Sequence, residues 1–243
     1  MSRIFITGST DGLGKAVAQA LMQQGHDIVL HARHHGRMEA VNALLSQGAE
    51  IVTGDLADLS QTKAIAEHIN RSGPVDVIIH NAGIISGSAL FQVNVVAPWL
   101  LSALIKRPSR MIFLSSSMHY DGRIPGTDER WEEYISTVDY SDSKLLLTTL
   151  SFALARLWEE VVINAVDPGW VATKMGGKNA PDDLIQGIET QKWLAVATEA
   201  SALSSGGYWH HRQLLNPHKE TRNSVFQHTL LSYLEKITGV KIQ

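Results

Sequence analysis

With 243 residues, 44% of them apolar and 19% charged, the chain has the composition of a globular protein and room for one large domain or two small ones. A formal charge of −3 leaves no general basic surface for nucleic acid. The absence of cysteine excludes disulfides, thiolate catalysis and zinc–cysteine sites.

Strand and helix patterns alternate along the chain. Ile4 to Thr7 is an apolar strand. It runs into a glycine-rich turn, Gly8-Ser9-Thr10-Asp11-Gly12-Leu13-Gly14, and then a helix with Val17, Ala20 and Leu21 on one face, stopped at Gly25. A second strand spans Ile28 to Ala32. Met38, Val41, Leu44 and Leu45 mark a second helix, closed by Gly48. Ile51 to Thr53 is a third strand, and Ile65 and Ile69 belong to a third helix. Val75 to His80 is apolar enough for a strand buried on both faces. A helix from Asn94 to Ile105 and a strand from Met111 to Leu114 follow. The next helix opens at Tyr140, with Leu146, Leu150, Ala153 and Leu157 along one face, and leads to a strand from Val161 to Val166. Residues 174–183, rich in Gly, Asn, Pro and Asp, read as a mobile lid. A helix with Ile185, Ile188 and Leu194 and a last strand entered at Gly206-Gly207-Tyr208-Trp209 come next. Asn223 caps a final helix through Phe226, Leu230, Leu234 and Ile237, ended by Gly239. This order predicts one α/β domain over 1–243, a doubly wound, Rossmann-type parallel sheet of about seven strands flanked by helices. Within it, residues from about 174 to 205 form a variable substrate region, followed by a helical tail. No apolar run reaches the ~18 residues of a membrane span, and Arg3 to Ile6 reads as a strand, not a leader. The expectation is a cytoplasmic protein with neither membrane nor nucleic acid as partner.

Two stretches carry chemistry. The glycine turn follows a strand and opens a helix, so its backbone can approach a pyrophosphate and the helix N-terminus can supply amide donors. In Tyr140-Ser141-Asp142-Ser143-Lys144, residues four apart share a helix face, which points Tyr140 and Lys144 into one space. An ammonium about 6 Å away, at an effective dielectric near 20, favours the phenolate by roughly 3 kcal/mol and makes the phenol acidic enough to trade protons near neutral pH. The eleven histidines invite a metal, but His34-His35 and His210-His211 are adjacent and expected to diverge, and no His-Glu-x-x-His occurs. Polar surface and loop positions are the expectation for them, with no metal.

Together, Thr7 to Gly14, Asn81-Ala82-Gly83, Ser115-Ser116-Ser117, Tyr140-x-x-x-Lys144 and Pro168-Gly169-Trp170-Val171-Ala172-Thr173 resemble the short-chain dehydrogenase/reductase family, with all five blocks in the family's order. The resemblance implies a catalytic set of Ser116, Tyr140, Lys144 and Asn94, with Ser117 the alternative serine. It implies cofactor contacts at Gly8, Ser9, Thr10, Gly12, Leu13 and Gly14, at Asp55 and Leu56, at Asn81, Ala82 and Gly83, at Tyr140 and Lys144, and at Pro168, Gly169, Val171 and Thr173. Asp55 has a second reading as a helix cap, and Asn94 as a residue bonded only to backbone. Between Ser116 and Tyr140 lie 23 residues. That long loop, with Ser116-Ser117-Met118-His119 and Gly122-Arg123-Ile124, resembles the retinol-dehydrogenase-like branch. Its aromatic residues, Trp131 and Tyr134 among them, either line a pocket for an apolar carbonyl compound or pack the loop onto the body.

The second strand ends in Ala32-Arg33 with Arg37 nearby, where an NAD site would present an acid to the ribose. A neutral residue and guanidinium groups suit a 2′-phosphate, so NADP is expected over NAD. The function read from all this is a hydride transfer between nicotinamide and a carbonyl or secondary alcohol, a small-molecule substrate, in the reductive direction as a carbonyl reductase. The alternative is an inactive cofactor-binding sensor or scaffold. The family also implies a homo-oligomer, dimer or tetramer, through the Asn94 and Tyr140 helices, while this branch includes monomers.

Overall fold

The computed structural model describes residues 1–125 and 130–242. Its order is β1 (Arg3–Ile6), α1 (Gly12–Gln23), β2 (Asp27–Ala32), α2 (Asn42–Ser46), β3 (Glu50–Thr53), α3 (Leu59–Ser72), β4 (Val77–His80), α4 (Ala97–Leu104) and β5 (Arg110–Leu114). After them come α5 (Trp131–Ser136), α6 (Tyr140–Leu157), β6 (Val162–Asp167), α7 (Leu184–Val196), β7 (Gly207–His210), β8 (Gln213–Leu215) and α8 (Ser224–Thr238). The strands lie in the order 3-2-1-4-5-6-7-8, all parallel except that β8 runs antiparallel to β7. The strand order reverses between β1 and β4, which opens a crevice at their carboxyl ends.

Alternation along each strand divides the core. On β1, Ile4 and Ile6 face the cluster formed with Val17 and Leu21 of α1 and Ile188 and Leu194 of α7, while Phe5 faces the opposite cluster with Leu100, Leu146, Leu150 and Leu230. Helix starts are set by side-chain caps. Asp58 accepts from Ser60 and Gln61 at α3, and Asp139 and Asp142 form a reciprocal capping box at α6. Asn223 caps α8, and Gly239 ends it in the left-handed conformation.

The tail helix α8 packs onto α6. Phe226, Leu230 and Leu234 are buried there, each contributing roughly 1.5–3 kcal/mol. The Trp99 indole donates to the Thr238 hydroxyl at 3.1 Å, and Trp131 stacks on Tyr233 at 5.1 Å. Trp131 and Tyr134 therefore pack the long loop onto the body; the Tyr134 hydroxyl donates to the Arg123 carbonyl. Residues 126–129 of that loop lie outside the described residues.

Several expectations are corrected. Seven strands of the sheet run parallel, as expected; the added feature is an eighth, antiparallel strand, formed where a two-residue turn at His211-Arg212 returns the chain along β7. Both turn residues have positive φ, 45° and 62°, without being glycine, so no sequence signal announces the hairpin. Helix α2 is only five residues long, since His35–Val41 winds as a 3-10 segment first. Leu157 and Ile237 are exposed. His210 and His211 do not diverge: the positive φ at His211 folds the rings into a stack with centroids 3.8 Å apart. His31, His80 and His119 are not surface residues but are buried in the body. Residues 174–183, read above as a lid, carry hydrogen bonds to a residue before them. Asp182 accepts from the Trp170 amide at 2.6 Å, and the Trp170 indole donates to Gly176 at 2.7 Å.

Candidate active site

The site is built where β1, β4, β5 and β6 end and α1 and α6 begin. The glycine turn is held from below. His31 accepts from the Gly8 amide at Nδ1 (3.0 Å), so its Nε2 carries the proton and donates to the Gly54 carbonyl (2.8 Å). Ser9 is buried, donating to the Ile6 carbonyl and accepting from the His31 amide. Asn81 donates to the Thr7 and Gly8 carbonyls, tying β4 to β1. A Cβ at Gly14 would lie 2.4 Å from Asn81 Nδ2 and 2.6 Å from the Gly8 carbonyl, so only glycine fits this close approach. Gly12, with φ +50°, faces the Thr173 side chain, which brings the fifth motif block against the first. Thr10 is also buried in this turn.

Asn94 and Lys144 meet at Gly83. A Cβ there would come within 3.4 Å of Asn94 Oδ1 and 3.6 Å of Lys144 Nζ. Lys144 is 4% exposed and donates to the Leu114 carbonyl, at the end of β5, at 2.6 Å. Its Nζ lies 5.5 Å from the centre of the Tyr140 ring. Asn94 sits in one π-helical turn, Gln92–Val96, a rare geometry associated with functional sites. Its amide bonds both backbone groups of Ile84 at 2.9 Å and donates to the Ser143 hydroxyl at 3.0 Å. Of the three serines, Ser115 is buried against Thr148, Ser117 is exposed, and Ser116 lies beside the Tyr140 phenol. Ser116 Oγ accepts from the Met118 amide, which leaves its own proton free to donate.

The electrostatics reverse one expectation. Burial, followed by the Asp167 carboxylate, pushes the Tyr140 phenol up to about 12, against the Ser116 hydroxyl, which favours the phenolate. Burial pushes the Lys144 ammonium down to about 8, with Asp167 opposing. At the phenol, burial and the Asp167 charge set the direction, opposite to the shift expected from the lysine alone. Asp167 ends β6 and is 5% exposed. Its carboxylate accepts from the Gly169 amide at 3.0 Å and lies 3.3 Å from His210 Nδ1. It also pushes up the Tyr208 and Tyr120 phenols after burial. Sequence reasoning passed over it, although its place directly before Pro168-Gly169, at the carboxyl end of a central strand, was the available signal.

The remaining candidates are more scattered. Asp55 accepts from the Ala57 amide in a local turn, and the α3 cap is Asp58. Leu56 is a core residue, and so is Val171, which packs with Leu13 against Gly187 of α7. Ala82 lies against Gly8, and Gly169, with φ +84°, against Asp182. Pro168 is half-buried between Asp167 and that glycine. Arg33 is exposed. Next to the glycine turn a hollow of about 330 Å³ is lined by Thr10, Asp11, Lys15, Gly36, Arg37 and Lys174, among others. Asp11 pairs there with Arg37 at 3.2 Å and Lys174 at 2.5 Å. Lys174 and Lys15 were not singled out in the sequence; they reach the hollow from the segment after Thr173 and from α1.

A family model for short chain dehydrogenases matches residues 2–108. Short-chain dehydrogenase chyC of Penicillium rubens is 35% identical over 100% of this chain and 99% of its own. The chain belongs to the short-chain dehydrogenase family. Human retinol dehydrogenase 13 is 30% identical over 71% of this chain and 60% of its own. A Mycobacterium paratuberculosis crystal structure covers 100% of this chain and 95% of its own with TM-score 0.81 at 21% identity. A blue fluorescent protein from a metagenomic library, in complex with NADPH, covers 86% of this chain and 95% of its own with TM-score 0.72 at 22% identity. The chain thus has the fold of this oxidoreductase family, and among its described residues no helix is long and apolar enough to cross a membrane.

Asp167→Asn removes the negative charge that holds protons on both Tyr140 and Lys144. The Lys144 titration is expected to move from about 8 to lower pH, read by side-chain NMR of the lysine across a pH series. A titration that stays put or moves up would show that Asp167 does not act on the lysine.

Proposed function

We propose that this chain is an NADP(H)-dependent oxidoreductase that reduces a carbonyl compound to a secondary alcohol. The observation that carries the reading is the convergence of Ser116, Tyr140 and the buried Lys144 at the carboxyl ends of β4 and β5, beside the glycine turn.

The residues fit a nicotinamide dinucleotide. Gly8, Gly12 and Gly14 leave the turn bare of side chains at the N-terminus of α1, where amides and the helix dipole favour phosphate. Asn81 and Ala82 lie against the glycine turn and Thr173 against Gly12, while Asp55, Leu56, Gly83, Pro168, Gly169 and Val171 are assigned to the cofactor by the resemblance alone. No acid stands at the end of β2; Ala32 is followed by Arg33, with Arg37, Lys15 and Lys174 in the hollow nearby. Asp11, unhelpful to a phosphate by charge, is offset by its two cationic partners. This set supports NADP over NAD.

When bound, the reduced cofactor supplies the hydride. The chain's own residues handle the proton and the oxygen. Ser116 donates to the substrate oxygen and stabilises charge developing there. Tyr140, protonated at neutral pH, gives its proton to that oxygen. Lys144 stays charged below about pH 8 and holds the local field positive. Asn94 fixes the chain after β4 against α6. A phenol that keeps its proton serves reduction better than oxidation. Helix α8 covers α6, one of the two helices through which the resemblance implies association, which supports a monomer.

Tyr140→Phe is expected to lower turnover of aromatic and aliphatic ketones by at least about a hundredfold while NADPH affinity, read by fluorescence, changes less than about twofold. Turnover close to wild type would refute the mechanism. Arg33→Ala and Arg37→Ala are expected to weaken NADPH binding by about tenfold or more and to spare NADH; equal losses for both cofactors would overturn the NADP assignment. Light scattering coupled to gel filtration is expected to give the monomer mass of 26.7 kDa, and a dimer mass would show that α8 does not block association.

A further inference from the structure

His119 lies three residues after Ser116, yet it has no part in the mechanism above. It is 0% exposed. It lies in the 3-10 segment Ser117–Asp121, with its ring between Tyr120 (centroids 4.1 Å apart) and Tyr208 of β7 (4.5 Å). Both ring nitrogens are engaged. The His218 amide, from the tail 99 residues away, meets Nε2 at 3.0 Å. An amide N–H can only donate, so Nε2 accepts and the proton resides on Nδ1. That Nδ1–H lies 2.8 Å from the Ser116 carbonyl and donates to it. A second tail contact runs alongside, from the Tyr120 hydroxyl to the Asn216 carbonyl at 2.6 Å. The tail is in turn anchored: the His218 carbonyl accepts from Thr221, and the Thr221 carbonyl accepts from Gln227 of α8.

From this geometry we infer that His119 is a positioning residue for Ser116, its tautomer set by the C-terminal segment. The inference rests on the reading of Ser116 as the donor to the substrate oxygen. With both nitrogens bound to backbone and no exposure, His119 has no free atom for proton transfer with substrate, so its action passes through the serine. The Ser116 carbonyl also accepts from the His119 backbone amide at 3.0 Å, but that bond only closes the local turn. The ring is what ties the turn to a fixed point on the other side. Protonation of Nε2 would break the link to His218; burial, the largest influence on the ring, keeps it neutral. The groups facing the ring are the Tyr120 and Tyr208 phenols, His218 and, at longer range, Asp167.

Three substitutions separate the two ring bonds. In His119→Asn the side-chain amide can reach the Ser116 carbonyl and replace Nδ1–H. In His119→Gln the amide reaches instead to the Nε2 position, and His119→Phe keeps the ring and loses both bonds. Ketone reduction is followed by NADPH absorbance on the best substrate of an aldehyde and ketone panel, with NADPH affinity and melting temperature measured alongside. The expected result is kcat within about threefold of wild type for Asn and at least tenfold lower for Gln and Phe, with NADPH affinity changed less than twofold throughout. In a Ser116→Ala background, Gln is expected to lower kcat no further. Equal kcat for Asn and Gln, or the same loss from Gln with and without Ser116, overturns the inference. Gln and Asn keep a polar group in the buried site and answer the question even where Phe does not fold. Full activity in Ser116→Ala alone would instead refute the serine's own role, and this inference with it; an inactive Ser116→Ala with indifferent His119 variants refutes only the inference.

Discussion

The arrangement depends on one buried ammonium. Lys144 is placed where water cannot solvate it, and taking such a charge out of water costs several kcal/mol unless protein groups replace the lost hydration. The replacements are the Leu114 carbonyl and the field of Asp167. These come from the ends of neighbouring strands, β5 and β6, and the lysine comes from α6. The ion therefore fixes the relation of three elements, and Gly83 of the adjoining strand end lies against it. Even so supported, the ammonium is held only up to about pH 8.

The Asp167 carboxylate makes this local field different from that of an isolated Tyr–Lys pair. It stands within electrostatic reach of Tyr140, Lys144, Tyr120, Tyr208 and His119. All three tyrosines are pushed toward their protonated forms. The Asp167 charge is surrounded by neutral hydroxyls and the Lys144 ammonium, groups that donate protons and hydrogen bonds more readily than they accept them. The tail adds rigidity: α8 covers α6, and the segment before it reaches back to the loop that carries Ser116.

The glycine turn, the five motif blocks and the strand–helix alternation could be read directly from the sequence, since each depends on local chemistry: bare backbone at Gly8, Gly12 and Gly14, apolar runs in β1 and β4, caps at Asn223 and Gly239. The eighth strand could not, because its turn uses His211 and Arg212 in a conformation that their residue types disfavour. The buried histidines were equally hidden. What makes His31 and His119 interior residues is the backbone groups that meet their nitrogens, and those come from 23 and 99 residues away.

The four-residue spacing of Tyr140 and Lys144 was enough, by itself, to put phenol and ammonium on one side of a helix, because helical geometry depends on nothing but the local backbone. Which way that pair shifts the phenol was decided by the tertiary structure alone. The sign depends on how far each group is stripped of water and on a carboxylate 23 residues further along the chain, at the end of another strand. Solvation and through-space charge are properties of the folded neighbourhood, and no spacing along the chain encodes them.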